Sequence, residues 1–157
     1  MSKKNSLLFL TVALTLILAS CNRKTIYSHY EHTPLAGWEK NDTLKFTVPA
    51  ITQSGTYEEE IALRVTTDYL FKELYLLVEQ SLQNAGTARR NTLLCPLVSD
   101  EGAYEGKGTY YIQYVFPLGR IQLEQGELLH IDIRHNMKRE ILQGITDVGV
   151  RLKRTSD

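Results

Sequence analysis

The chain predicts an all-β domain: a single antiparallel β-sandwich with jelly-roll or Greek-key connections. Its periodicity, its turn punctuation and its want of helical pattern carry that expectation. Apolar residues recur at every second position in stretch after stretch, with glycine-bearing turn signals between them. Only Met137 to Gln143 has the make-up of a helical turn, stopped by Gly144. A period of two sends one set of side chains to a core and the other to solvent. Short strands of that kind, joined by loops, pack as two facing sheets.

Residues 1–20 precede that domain and read as a signal peptide. Lys3 and Lys4 stand before an apolar run from Leu7 to Leu18, interrupted only by Thr11 and Thr15, and the small residues Ala19 and Ser20 follow. A basic start, an apolar middle and a small-residue cut site define a secretory signal. The run is too short to span a bilayer, which takes about 20 apolar residues. Leu18-Ala19-Ser20-Cys21 resembles the lipobox of bacterial lipoproteins, with cleavage between Ser20 and Cys21. That resemblance implies a diacylglyceryl group on the Cys21 thiol and a fatty acyl group, palmitate or similar, on the new amine. At about 0.8 kcal/mol per buried methylene, such chains anchor a protein to a membrane effectively permanently.

Residues 21–40 have no clean period and read as a lipidated tether followed by an extended segment laid on the domain; residues 41–157 supply the sandwich. Leu44, Phe46 and Val48 alternate with polar residues, as do Ile61, Leu63 and Val65. Leu74, Leu76 and Val78 alternate with a set that itself contains Tyr75 and Leu77, which predicts a central strand. Tyr110, Ile112, Tyr114 and Phe116 read as one face of the next strand. Leu129, Ile131 and Ile133 follow, and Val148, Val150 and Leu152 close the chain. Turn signals lie at Asn84-Ala85-Gly86, Ser99-Asp100-Glu101-Gly102, Pro117-Leu118-Gly119 and Gln125-Gly126.

Composition narrows the function. The full chain balances 18 basic against 18 acidic residues, and loss of Lys3 and Lys4 leaves a slight acidic excess. A nucleic-acid binder needs a basic stripe or a strongly basic domain, and neither is present; Arg89-Arg90 is a lone pair. Lipid on Cys21 leaves Cys95 without a disulfide partner. Its setting, Leu93-Leu94-Cys95-Pro96-Leu97, is that of a small buried hydrophobe, so packing alone must stabilise the fold.

The chemistry-bearing residues favour no reaction. His130 and His135 lie an odd number of positions apart on a strand and face opposite ways, while His29 and His32 have no carboxylate or cysteine cluster at ligand spacing. No metal is expected, and no cofactor beyond the covalent lipid on Cys21. Glu58, Glu59 and Glu60 read as a solvated strand face or edge guard rather than a glycosidase pair. His130, Asp132 and Arg134 share a face, as charges on a wet sheet surface do. No Gly-x-Ser-x-Gly elbow occurs, and Gly106-Lys107-Gly108 lacks the remainder of a phosphate loop. An enzyme is not expected. The nine tyrosines and Trp38 are the other candidates. Most should pack in sheets, and Tyr69 and Tyr104 are the best loop-borne members of an aromatic patch for a partner or ligand.

Several segments, in order along the chain, resemble the GldH family of gliding-motility lipoproteins. They are Cys21 with the lead-in of Tyr27 and Tyr30; Pro34-x-x-Gly37-Trp38-x-Lys40-x-Asp42; Arg64-Val65-Thr66-Thr67-Asp68-Tyr69; Gly106-x-Gly108; and Gly144-Ile145-Thr146-Asp147-Val148-Gly149-Val150-Arg151-Leu152. Physical reasons accompany some of them. Gly149 permits a bulge or a close contact within a strand, Asp147 can bond nearby backbone amides, and Trp38 should pack the N-terminal segment onto the sandwich. The resemblance implies a non-enzymatic cell-envelope lipoprotein that works with other Gld proteins in an apparatus related to type IX secretion. The alternative is a surface or periplasmic lipoprotein that binds a glycan on a sandwich face. Asn22-Arg23-Lys24-Thr25 has no acidic cluster of the kind that surface-export signals carry, which favours a periplasm-facing domain.

Overall fold

A computed structural model describes residues 25–83, 86 and 88–155. The signal peptide, Cys21 and most of the Asn84-Ala85-Gly86 turn lie outside the described residues. The strands in order are β1 (Thr25–His32), β2 (Trp38–Glu39), β3 (Leu44–Val48), β4 (Gly55–Val65), β5 (Glu73–Leu82), β6 (Ala88–Pro96), β7 (Ile112–Leu123), β8 (Leu129–His135), β9 (Ile141–Leu142) and β10 (Ile145–Arg154). The described residues form an antiparallel all-β sandwich without helix. One sheet has the order β1-β10-β4-β7, the facing sheet β3-β8-β5-β6, and β2 pairs with β9 alone.

The pairing is nested. First pairs with last, β1 with β10, and the chain then closes inward through β2 with β9, β3 with β8, β4 with β7 and β5 with β6. A long hairpin rolled up in this way is a jelly roll. The alternating residues fill the space between its sheets: Phe46, Val48, Leu74, Leu76, Val78, Ile131 and Ile133 from one side, Ile61, Leu63, Val65, Val148, Val150 and Leu152 from the other. Each contributes roughly 1.5–3 kcal/mol when fully buried. The strand of Leu74 to Val78 is interior to its sheet, as its sequence predicts.

Several elements differ from the sequence reading. The segment expected to lie on the domain is woven into it. Residues of β1 pair along β10 from Thr25 to His32, and Trp38 is fully buried with its Nε1 donating to the Asp42 carbonyl at 3.0 Å. Met137 to Gln143 is not helical, because Ile141 and Leu142 pair with Trp38 and Glu39. Pro117-Leu118-Gly119 is not a turn. β7 runs through it, with a register shift opposite Glu59 and Glu60; Pro117 is accommodated because β7 is an edge strand in need of no second donor. Tyr110 stands outside β7 and is 74% exposed, not on its inward face.

The glutamate run also splits. Glu58 and Glu60 face outward to Arg120 and Lys153, but Glu59 shares the inward parity of Tyr57 and Ile61 and is buried between the sheets. Nε2 of Gln80, on the facing sheet, donates to it. Burial pushes the Glu59 carboxyl above its usual range, against the opposing pull of the Gln80 bond and Arg89.

Candidate functional site

The outward face of the β1-β10-β4-β7 sheet carries a row of polar residues, one from each strand. His32 pairs with Asp147, Asp147 with Arg64, and Arg64 with Gln113. This row floors an open cleft of about 800 Å3 at the end of the sheet. The sheet end also supplies the walls. Pro34 follows the last residues of β1 and closes a turn in which the Gly37 amide donates to the Pro34 carbonyl at 2.9 Å, leaving Leu35 fully exposed at the rim.

The second wall is Tyr110 and Tyr111. Their rings meet edge to face at 4.8 Å, and both stand well out in solvent, Tyr111 at 46%. Glycines hold them there. A β-carbon on Gly108, whose φ is +125°, would fall 2.1 Å from the Tyr111 carbonyl oxygen, and one on Gly106 would strike Gln113 backbone at 2.7 Å. The loop folds back on β7 through paired Lys107 and Gln113 backbone bonds at 2.9 and 2.8 Å. Gly106-x-Gly108 thus serves close backbone approach, not phosphate binding.

On the third side, the Thr66 amide donates to the Gly144 carbonyl at 2.7 Å. Gly144 has φ +86°, and a β-carbon there would meet the Tyr69 amide nitrogen at 2.2 Å, so only glycine allows this packing. The threonine hydroxyls of the cleft are all engaged. Thr33 donates to the Ile145 carbonyl, Thr66 to Asp68 at 3.3 Å, and Thr146 to the Arg64 carbonyl at 3.0 Å with Asp147 Oδ2 at 2.9 Å.

Asp147 is the electrostatic centre. Its residue is 5% exposed, and Oδ1 lies 2.5 Å from Nδ1 of His32 and 3.7 Å from Nη1 of Arg64. The sequence reading gave Asp147 to backbone amides; the structure gives it to two basic side chains on neighbouring strands. Arg64 is further held by the Tyr30 ring, whose centroid is 4.4 Å from its Cζ, a cation–π contact.

The other predicted site residues lie elsewhere. Ser20 and Cys21 are outside the described residues. Tyr69 cannot join an exposed patch: it is buried, its hydroxyl donates to the Glu73 carbonyl at 2.8 Å, and burial pushes its phenol well up. Tyr104 is exposed but does not line the cleft. His135 is buried edge to face on Trp38 at 5.3 Å, and burial lowers its pKa. His130 bonds Thr47 at 3.3 Å on the wet face of β8, where Arg134 lies 3.7 Å from Glu79. Among the described residues no cluster of histidine, cysteine or acidic side chains is arranged to hold a metal.

The model of the family described as GldH lipoprotein matches residues 25–152. The chain belongs to that family. Two GldH relatives align with nearly all of it. The gliding motility lipoprotein GldH of Flavobacterium johnsoniae is 27% identical, over 96% of this chain and 96% of its own length. The GldH homolog of Christiangramia forsetii is 22% identical, over 95% of this chain and 96% of its own. Among solved structures, a GH115 4-O-methyl-α-glucuronidase aligns with 87% of the chain but only 18% of its own length, at TM-score 0.47 and 14% identity. Segments by which the chain resembles the GldH family, far apart in sequence, meet at the cleft: Pro34 to Gly37, Arg64 to Asp68, the loop set by Gly106 and Gly108, and Gly144 to Asp147.

Proposed function

We propose that this GldH-family chain is a non-enzymatic accessory component of a gliding-motility machinery associated with type IX secretion, anchored by lipid on Cys21 with its domain facing the periplasm. The alignment with two GldH proteins along almost the whole chain carries this reading. The cleft supports a binding role over a catalytic one. Its threonine hydroxyls are spent on backbone carbonyls and carboxylates, and its histidine faces a carboxylate with no nucleophile placed beside it, whereas hydrolytic chemistry needs a nucleophile within reach of its base. The absence of acids in Asn22-Arg23-Lys24-Thr25 supports the inward orientation.

A clean deletion tests the reading. Loss of colony spreading or of type IX cargo secretion is expected, restored by the wild-type gene and not by Cys21→Ala. Normal spreading and normal secretion in the deletion strain would refute it. Protease added to intact cells should leave the domain uncut; its removal would place the domain on the cell surface.

A further inference from the structure

The cleft holds a combination of groups that folding alone does not explain. Tyr110 and Tyr111 present two aromatic rings to water, although such rings release most free energy when covered. Gly106 and Gly108 press the backbone into close contacts that place those rings at the wall. Opposite them, the polar floor presents the exposed Gln113 amide beside Arg64, which the Asp147 carboxylate faces from the neighbouring strand. A cleft of about 800 Å3 falls in the size range of small-ligand sites.

We propose that this cleft binds a short neutral oligosaccharide. The mixture of groups selects that class. Two carboxylates, Asp147 and Asp68, stand with the Arg64 guanidinium, so the site has no strong net charge to favour an anion or a cation. Arg64 and the Gln113 amide nitrogen supply donors, the exposed Gln113 amide oxygen supplies an acceptor, and sugar hydroxyls are both at once. The exposed tyrosine rings match the apolar C–H faces of a pyranose. The floor residues stand on four adjacent strands, so the polar array is rigid before any ligand arrives, which keeps the ordering cost of binding low. This inference goes beyond the role in gliding and does not depend on it.

The test uses the full lipidated protein, purified in a detergent without a sugar headgroup, on a glycan array carrying neutral, uronic-acid and amino-sugar oligosaccharides. The best neutral hit is then titrated calorimetrically. Selective binding of neutral oligosaccharides is expected. Tyr110→Ala and Gln113→Ala, both at exposed positions that tolerate truncation, should each weaken binding about tenfold. Tyr104→Ala, exposed but outside the cleft, should bind as the parent does. No binding to any neutral oligosaccharide, a preference for charged ones, or undiminished binding by Tyr110→Ala would each overturn the proposal. These outcomes leave the deletion phenotype untouched, so failure here is separate from failure of the gliding role.

Discussion

The ring of Tyr30 packs over Gly149 on the neighbouring strand, so closely that a β-carbon on the glycine would come 2.7 to 3.0 Å from three ring carbons. The phenol then reaches the Arg151 guanidinium at 3.2 Å, while Arg64 stacks on the ring itself. Tyr30 thereby covers the outer face of β10 where it has no side chain, and it buttresses the arginine that faces Asp147.

Gly149→Ala should therefore destabilise the fold by about 1–3 kcal/mol, the usual cost of forcing a methyl into a filled site. A lowered urea midpoint with unchanged slope would show it. The penalty should shrink in a Tyr30→Ala background, because the clash has one partner. An equal penalty in both backgrounds would mean that the strand itself, not the ring, rejects the methyl.

Glu59 makes a pH-dependent prediction. Its carboxyl titrates above its unfolded value because burial disfavours the charge, so the native state holds the proton more tightly than the unfolded chain does. Its contribution is neutral to stability at pH below the unfolded carboxyl range, and stability falls as pH rises through the folded pKa. Glu59→Gln removes the charge and can pair its amide with Gln80, whose Oε1 is otherwise unpartnered. The variant should be about 1–3 kcal/mol more stable at neutral pH, and that advantage should vanish toward pH 4. Denaturant unfolding across that pH range measures it; a constant difference would exclude titration of Glu59 as the cause.

Cys95 should be inert in the native protein. It is fully buried between Leu74 and its neighbours on β6, and burial pushes its thiol up to about 12. A thiol reagent should label it only at the rate of unfolding, and labelling should become immediate in denaturant. Fast native labelling would show that β6 opens locally.

Trp38→Ala should be among the most damaging single changes, costing about 3–5 kcal/mol. Its ring is fully buried, it packs edge to face on His135, and its own strand is only the two-residue β2. Beyond lost stability, protection of β1 and β9 amides from hydrogen exchange should fall first, since Trp38 ties the link between them into the core. Uniform loss across all strands would argue against a local role.

The β class and most core-facing positions were legible in the chain, because each rests on local spacing. Alternation assigns faces without knowledge of the partner strand. Even Glu59 could have been placed inward, since it shares parity with Tyr57, Ile61 and Leu63; its charge and its acidic neighbours hid that signal. The run from Met137 to Gln143 misled for a related reason: its pairing with Trp38 is a long-range hydrogen-bonded contact with no trace in local composition. Tertiary structure alone decided which strands neighbour one another, and with them the cleft. Residues 32, 64, 113 and 147 become one row only because first pairs with last and the rolled hairpin sets β4 between β10 and β7. Tyr110 stands outside β7, beside a loop in which Gly106 and Gly108 allow the backbone to approach Gln113 and Tyr111 closely. Periodicity is a property of a segment, whereas a site made from four strands is a property of their closure.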